Sequence, residues 1–289
     1  MPTMPSSNHN PIILPQVSGP IGVFDSGYGG LTILRELRAL MPQYDYLYLG
    51  DNARAPYGTR SFDIVYRYTL QAVTTLFERG CHLVILACNT ASAKALRTIQ
   101  QNDLPQLDPT RRVLGVIRPT AEVVGNITKS RHVGILATTG TILSRSYDLE
   151  IQKLYPDIAV TGQDCPMWVP LVENFEFDSP GADYFVELRI NQLLKRDPDI
   201  DTIILACTHY PLLLPKIRHY SPADVTIISQ GVYVAQSLNA YLANHADMAQ
   251  RITKNGTLRC LTTENPNKFC ATANRFLGHE VKAENIVLS

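Results

Sequence analysis

The chain contains no long apolar run. A membrane-spanning helix needs roughly 18 or more consecutive apolar residues, and no stretch approaches that length. A charge surplus is missing too: Lys+Arg is 26 and Asp+Glu is 26, so the formal net charge is zero. Holding nucleic acid requires a basic surplus or stripe, yet the only adjacent basic pairs are Arg111-Arg112 and Lys195-Arg196. An anionic membrane surface finds no polybasic segment either. Met1 to Pro20 has no basic n-region and no apolar h-region, since Pro11 and Pro15 frame only Ile12, Ile13 and Leu14. No secretory signal is expected there. Residues 1–19 read as a flexible N-terminal extension, and the location implied is cytoplasmic. Six cysteines in 289 residues make no disulfide scaffold; in a reducing compartment they are thiols. Nucleotide motifs are also absent. Gly27-Tyr-Gly29-Gly30-Leu-Thr lacks the third glycine of G-x-G-x-x-G, and no G-x-x-x-x-G-K-[ST] occurs. Zinc lacks a ligand set as well: Cys207-Thr-His209 could supply two, but no C-x-x-C or H-x-x-x-H completes it. No metal and no nucleotide cofactor are expected.

What the chain has is a globular composition, 45% hydrophobic and 18% charged. Its length suits two domains of about 150 residues. Short apolar strands alternate with amphipathic helices. Ile21–Phe24, Tyr46–Leu49 and Leu83–Ala87 read as strands; residues 31–41 and 61–78 read as helices, the second closed by Gly80. The order then recurs: strand at Val133–Leu136, one helix through Ile142, Tyr147, Ile151 and Leu154, strand at Ile158–Val160, a loop over Cys165–Glu173, helix at Asp183–Lys195, strand at Thr202–Ala206. Such alternation predicts an α/β fold with mostly parallel sheets.

The recurrence extends to residues. Ile-Leu-Ala-Cys at 85–88 returns at 204–207, and Gly22 in its strand matches Gly134. Two related α/β halves are therefore expected, pseudo-symmetric, with a cleft between them. Ligands of open α/β sheets bind beyond the carboxyl ends of the strands, and Cys88 and Cys207 both fall there. Asn89-Thr90 follows the first and Thr208-His209 the second; small polar groups opening a helix suit carboxylate recognition. Cys81, Cys165, Cys260 and Cys270 have no partner pattern and read as structural. Asp25 and Ser26 occupy the equivalent exit from the first strand. Asp25 caps the next helix, accepts from an ammonium group or orients a thiol. Two thiols from opposed halves match one chemistry well. Inverting a carbon stereocentre by proton transfer needs a base on one face and an acid on the other.

These segments resemble those of the glutamate racemases, in the cofactor-independent aspartate/glutamate racemase superfamily. The matching stretches are Ile21-Gly-Val-Phe-Asp-Ser-Gly-Tyr-Gly-Gly30, Gly50-Asp-Asn-Ala-Arg-Ala-Pro-Tyr-Gly58, Ala87-Cys-Asn-Thr-Ala-Ser92, Val169-Pro-Leu-Val-Glu173 and Ala206-Cys-Thr-His-Tyr-Pro211. The likeness runs from about residue 20 to about residue 240. It implies interconversion of L- and D-glutamate without a cofactor, the D-isomer feeding peptidoglycan synthesis. By motif position it assigns Cys88 and Cys207 as the acid/base pair, with Asp25, His209 and Glu173 supporting them. It assigns Ser26, Tyr57, Gly58, Asn89, Thr90 and Thr208 to substrate binding along with Asp25 and His209, and sets Thr138 and Thr141 near the site. It also implies that residues 228–289 return to a first domain of 20–113, with 114–227 forming the second. Glutamate is the partner implied, not nucleic acid or membrane, and a homodimer stays open. Two positions depart from the family pattern: Arg118, where many members have Glu, and Ser229-Gln230-Gly231, where they have Asp-Ser-Gly. Three rivals stand beside this reading: a racemase for aspartate or another amino acid, a non-enzymatic binding protein, and a single-thiol amidase using Cys88.

Overall fold

A computed structural model describes residues 14–288. Among the described residues, ten strands form two sheets. The first runs β10-β9-β2-β1-β3-β4 and the second β6-β5-β7-β8. The strands are β1 (Ile21–Asp25), β2 (Tyr46–Gly50), β3 (Leu83–Leu86), β4 (Arg112–Gly115), β5 (His132–Ala137), β6 (Ala159–Asp164), β7 (Thr202–Ala206), β8 (Thr226–Ser229), β9 (Leu258–Thr262) and β10 (Ala283–Asn285). Every strand pairing is parallel. Every residue of β1, β2, β3 and β7 is buried. That is why these strands read as unbroken apolar runs: helices cover both faces of a parallel sheet.

The two halves share one topology. The order β2-β1-β3-β4 in the first sheet is repeated as β6-β5-β7-β8 in the second. Register repeats too. Gly22 pairs with Val84, and Gly134 pairs with Ile203. Cys88 and Cys207 therefore leave equivalent central strands at equivalent positions.

Local chemistry explains the helices. Ser61 caps the helix Phe62–Glu78, its Oγ accepting from Ile64 N. Gly80 (φ +92°) ends it, with Gly80 N bonding to Phe77 O and Cys81 N to Leu76 O, a Schellman closure. Helix Leu31–Leu40 buries Leu31, Ile33, Leu34 and Leu37 and packs on helix Gly231–Asn244. The segment after β8 thus crosses back, and β9 and β10 add to the first sheet.

Three local expectations change. The helix expected through Ile142 to Leu154 is two helices, Thr139–Ser144 and Ser146–Leu154, broken at Arg145 (φ 54°), where Ser144 Oγ accepts from Ser146 N. The expected loop over 165–173 contains the helix Trp168–Glu173. Its Pro170 lies in the first turn, where no intrahelical N–H is needed. Burial of Trp168 and Val172 on one face fixes the turn, with the Trp168 and Tyr210 rings 4.8 Å apart. Lastly, residues 1–13 of the expected extension lie outside the described residues, but residues 14–19 are seated. Leu14 is buried, the Arg111 guanidinium donates to Pro15 O, and Gly19 bridges to Ile252. No helix among the described residues is long and apolar enough to cross a membrane.

Candidate active site

The carboxyl ends of β1, β3, β5 and β7 converge on one cavity of about 130 Å³. Ser26, Tyr57, Gly58, Cys88, Asn89, Thr90, Thr138, Glu173, Cys207, Thr208 and His209 all line it. Both thiols thus face the same space from opposite halves. Asp25 lies just beneath, 1% exposed, its Oδ2 accepting from Gly27 N at 2.9 Å and its Oδ1 facing the Thr208 hydroxyl at 3.5 Å. Thr141 stands behind the wall, its hydroxyl 3.2 Å from that of Thr138 and 3.5 Å from that of Thr90.

The sulfurs sit in different surroundings. Cys88 caps helix Asn89–Lys94, and its Sγ lies 3.4 Å from both Ala91 N and Ser26 Oγ. Burial, reinforced by the Asp25 carboxylate, pushes this thiol up to about 12 despite those two donors. Cys207 Sγ lies 3.8 Å from His209 Nδ1, and His209 Nε2 lies 3.0 Å from Glu173 Oε1. Burial opposes the imidazolium, but Cys207 and Glu173 outweigh it and hold His209 well above the ordinary histidine range. An imidazole paired with a carboxylate thus flanks Cys207, and Cys88 has no such neighbour among its contacts. Burial raises Asp25 above the usual carboxylate range, although His209 works against it.

The loops of one half are fitted to the motifs of the other. Thr32 Oγ1 donates to Thr208 O at 3.0 Å. At Gly29 a methyl would stand 2.5 Å from His209 Nδ1 and closer still to Thr208 Oγ1. Only glycine lets the first loop lie against the second thiol's motif. Gly58 O accepts from Gly140 N at 2.8 Å, which ties the Tyr57–Gly58 loop to the opposite half. Asp51, fully buried, accepts from Tyr57 OH, from Arg54 Nε at 2.7 Å and from Thr263 Oγ1 at 2.9 Å, so it fixes this loop from below.

Sequence reasoning missed some of the lining. Cys165, Pro166, Val169 and Pro170 complete the wall beside Cys207. Gln230, noted only as a departure, is buried and bonds to Asn89. Arg118 lies elsewhere. It is exposed, paired with Glu122 at 2.8 Å, and borders a larger hollow of about 690 Å³ that contains neither thiol. The chemistry, not the volume, selects the smaller cavity. Among the described residues, one group of three potential metal ligands occurs: His132, Asp197 and Asp199. It lies away from the cleft, at the start of β5, where His132 Nδ1 is 3.0 Å from both Asp197 oxygens.

A family model described as Asp/Glu/hydantoin racemase matches residues 31–238. The chain belongs to that family. It is 38% identical over 274 residues to a glutamate racemase of Ruegeria sp. (strain TM1040), covering 91% of this chain and 98% of that protein. Among solved structures, it is similar to glutamate racemase isoform RacE1 from Bacillus anthracis, with TM-score 0.85, 34% identity, and coverage of 93% of this chain and 98% of that one. It is similar also to the Francisella tularensis glutamate racemase in complex with D-glutamate, with TM-score 0.83, 31% identity, and coverage of 94% and 98%. The two-sheet α/β architecture is therefore that of the glutamate racemase structures, and these relatives are isomerases.

Proposed function

We propose that the protein is a glutamate racemase that interconverts L- and D-glutamate by proton transfer at Cα between Cys88 and Cys207. The observation that carries this reading is the pair of thiols at equivalent strand ends of two related halves, facing one small cavity. Its volume is well below the roughly 300–1,000 Å³ of drug-sized ligand pockets, which suits an amino acid. One sulfur, as thiolate, takes the Cα proton. The other, as thiol, delivers its proton to the opposite face. One C–H bond and one S–H bond break, one of each forms, and no oxidation state changes. Each enantiomer uses the opposite sulfur as base.

The difficult step is the weakly acidic Cα–H. Donors aimed at the substrate carboxylate from Asn89, Thr90 and Thr208 would stabilise the carbanion-like state. Asp25 and Ser26 would receive the ammonium group. The Tyr57–Gly58 loop, braced by Asp51, would hold the side-chain carboxylate. The His209–Glu173 pair stands beside Cys207 only, with His209 Nδ1 3.8 Å from its sulfur, so a negative sulfur has a ready hydrogen-bonding partner there. A reducing cytoplasm suits two such thiols. D-glutamate made there would feed peptidoglycan synthesis.

The test uses purified protein with no added pyridoxal phosphate. L-glutamate should lose its circular dichroism signal toward zero, and L-aspartate should lose it far more slowly. Folded protein that leaves L-glutamate unchanged while racemising aspartate would move the reading to the aspartate rival. Folded protein that racemises neither would overturn it.

A further inference from the structure

Behind Asn89 lies a closed ring of buried side-chain hydrogen bonds. Asn89 Nδ2 donates to Gln230 Oε1 at 2.6 Å, Gln230 Nε2 donates to Tyr147 OH at 2.6 Å, and Tyr147 OH donates to Asn89 Oδ1 at 2.7 Å. All three residues are buried. They come from three places in the chain: the start of helix Asn89–Lys94, helix Ser146–Leu154, and the residue capping helix Gly231–Asn244.

A ring of this kind can run in either sense, because each amide could be turned over with every bond reversed. Something outside the ring must choose. Here it is the carbonyl of Val116, 3.3 Å from Gln230 Nε2. A carbonyl only accepts, so the Gln230 atom facing it must be the donor. Thr120 agrees: its hydroxyl proton is committed to Val116 O at 3.1 Å, so its oxygen accepts from Gln230 Nε2 at 3.1 Å. With Gln230 fixed, its Oε1 faces Asn89, and the Asn89 atom that meets it must be Nδ2. Asn89 Oδ1 is then held by Tyr147. One Nδ2 hydrogen is left with no protein acceptor among the described residues, on a residue that lines the cavity.

We propose that Gln230 is a positioning residue. Through the ring with Tyr147 it fixes the Asn89 amide so that Asn89 offers the substrate a donor N–H and not a carbonyl oxygen. The inference rests on the glutamate racemase reading for its substrate. The ring itself does not. Gln230 is not among the residues lining the cavity that both thiols face, so it reaches that cavity through Asn89. A serine side chain at this position is too short to span the four partners Asn89, Tyr147, Val116 O and Thr120.

The experiment uses the full chain and the variants Gln230→Ser, Tyr147→Phe and Asn89→Ala, singly and as the double Gln230→Ser/Asn89→Ala. Gln230→Ser is expected to raise KM for L- and D-glutamate about tenfold, with a smaller change in kcat, since loss of a buried hydrogen bond has about that size. Tyr147→Phe, which keeps the bulk, should act in the same direction. In the Asn89→Ala background Gln230→Ser should add nothing, because the residue it works through is gone. Equal fold-losses in both backgrounds would mean a merely structural role and would overturn the proposal. So would an unchanged KM in a folded Gln230→Ser variant. A second readout needs no substrate. By NMR, the Asn89 side-chain amide proton bonded to Gln230 Oε1 should exchange slowly with D2O in the native protein and fast in Gln230→Ser. Native protein with this protection but no glutamate racemisation would sink the substrate reading and leave the ring standing. Rapid exchange in the native protein would sink the ring.

Discussion

Gly29→Ala tests whether the fit between the two halves matters to the chemistry. The backbone permits alanine, since Gly29 is not among the positive-φ glycines. The obstacle is the neighbour. The added methyl would lie 2.5 Å from His209 Nδ1, and comfortable contact begins at about 3.5 Å. The imidazole or the loop must therefore move by about 1 Å. His209 stands 3.8 Å from the Cys207 sulfur and 3.0 Å from Glu173 Oε1, so that shift disturbs both of its partners. A displacement of about 1 Å in a catalytic constellation can cost on the order of a hundredfold in rate. Overpacking at a buried site costs about 1–3 kcal/mol of stability. We expect kcat/KM for glutamate to fall about a hundredfold by a circular dichroism assay, with a modest drop in Tm. Gly181→Ala is the control. It sits at the start of helix Pro180–Arg196 with only Ser179 Oγ nearby, at 3.5 Å, and should leave activity unchanged. Full activity in Gly29→Ala would refute the packing argument.

Other perturbations follow from the same geometry. Cys88→Ser and Cys207→Ser should each lose about 10²–10⁴-fold in racemisation while staying folded; normal turnover of both enantiomers by either variant would defeat the two-thiol scheme. Asp51→Asn sets an NH₂ group against the Thr263 hydroxyl even in its better orientation and removes the buried negative charge that pairs with Arg54, so it should cost about 3 kcal/mol and raise KM through the Tyr57–Gly58 loop; denaturant melts and steady-state kinetics read both. Asp45 is held at about 2 because, although burial opposes its charge, hydrogen bonds from Thr253, Thr257 and Asn255 outweigh it. A depressed carboxyl stabilises above its unfolded value near 4, and that contribution fades as pH falls through about 2. Asp45→Asn should therefore cost about 2 kcal/mol at pH 7 and almost nothing near pH 2, a difference that melts at the two pH values measure directly.

Much of the site could be read in the chain because it sits at strand ends. Buried parallel strands are unbroken apolar runs, so Cys88 and Cys207 mark where the carboxyl ends of two central strands fall. The duplication was visible in only a few residues, but Gly22 and Gly134 occupy the same register. Other features depend on tertiary context. The stretch 165–173, with Pro166 and Pro170, reads as a loop; the burial of Trp168 against Tyr210 makes Trp168–Glu173 a helix. The left-handed Arg145 that splits the expected helix carries no glycine or asparagine to announce it. The Asn89 ring joins residues 58 and 141 positions apart, and nothing local in Gln230 points to Asn89. That residues after 228 return to the first half came from resemblance, since strand patterns do not name their sheet.

The most direct test of the two-thiol claim is where deuterium goes in the first turnover. L-glutamate is incubated in D2O and quenched early, and Cα–H is measured separately in the D-product and in the remaining L-substrate. Two opposed monoprotic thiols predict that essentially every product molecule carries deuterium from solvent while unreacted substrate stays protiated. Product that keeps the substrate's own proton would mean that one group serves both faces, and would contradict the account.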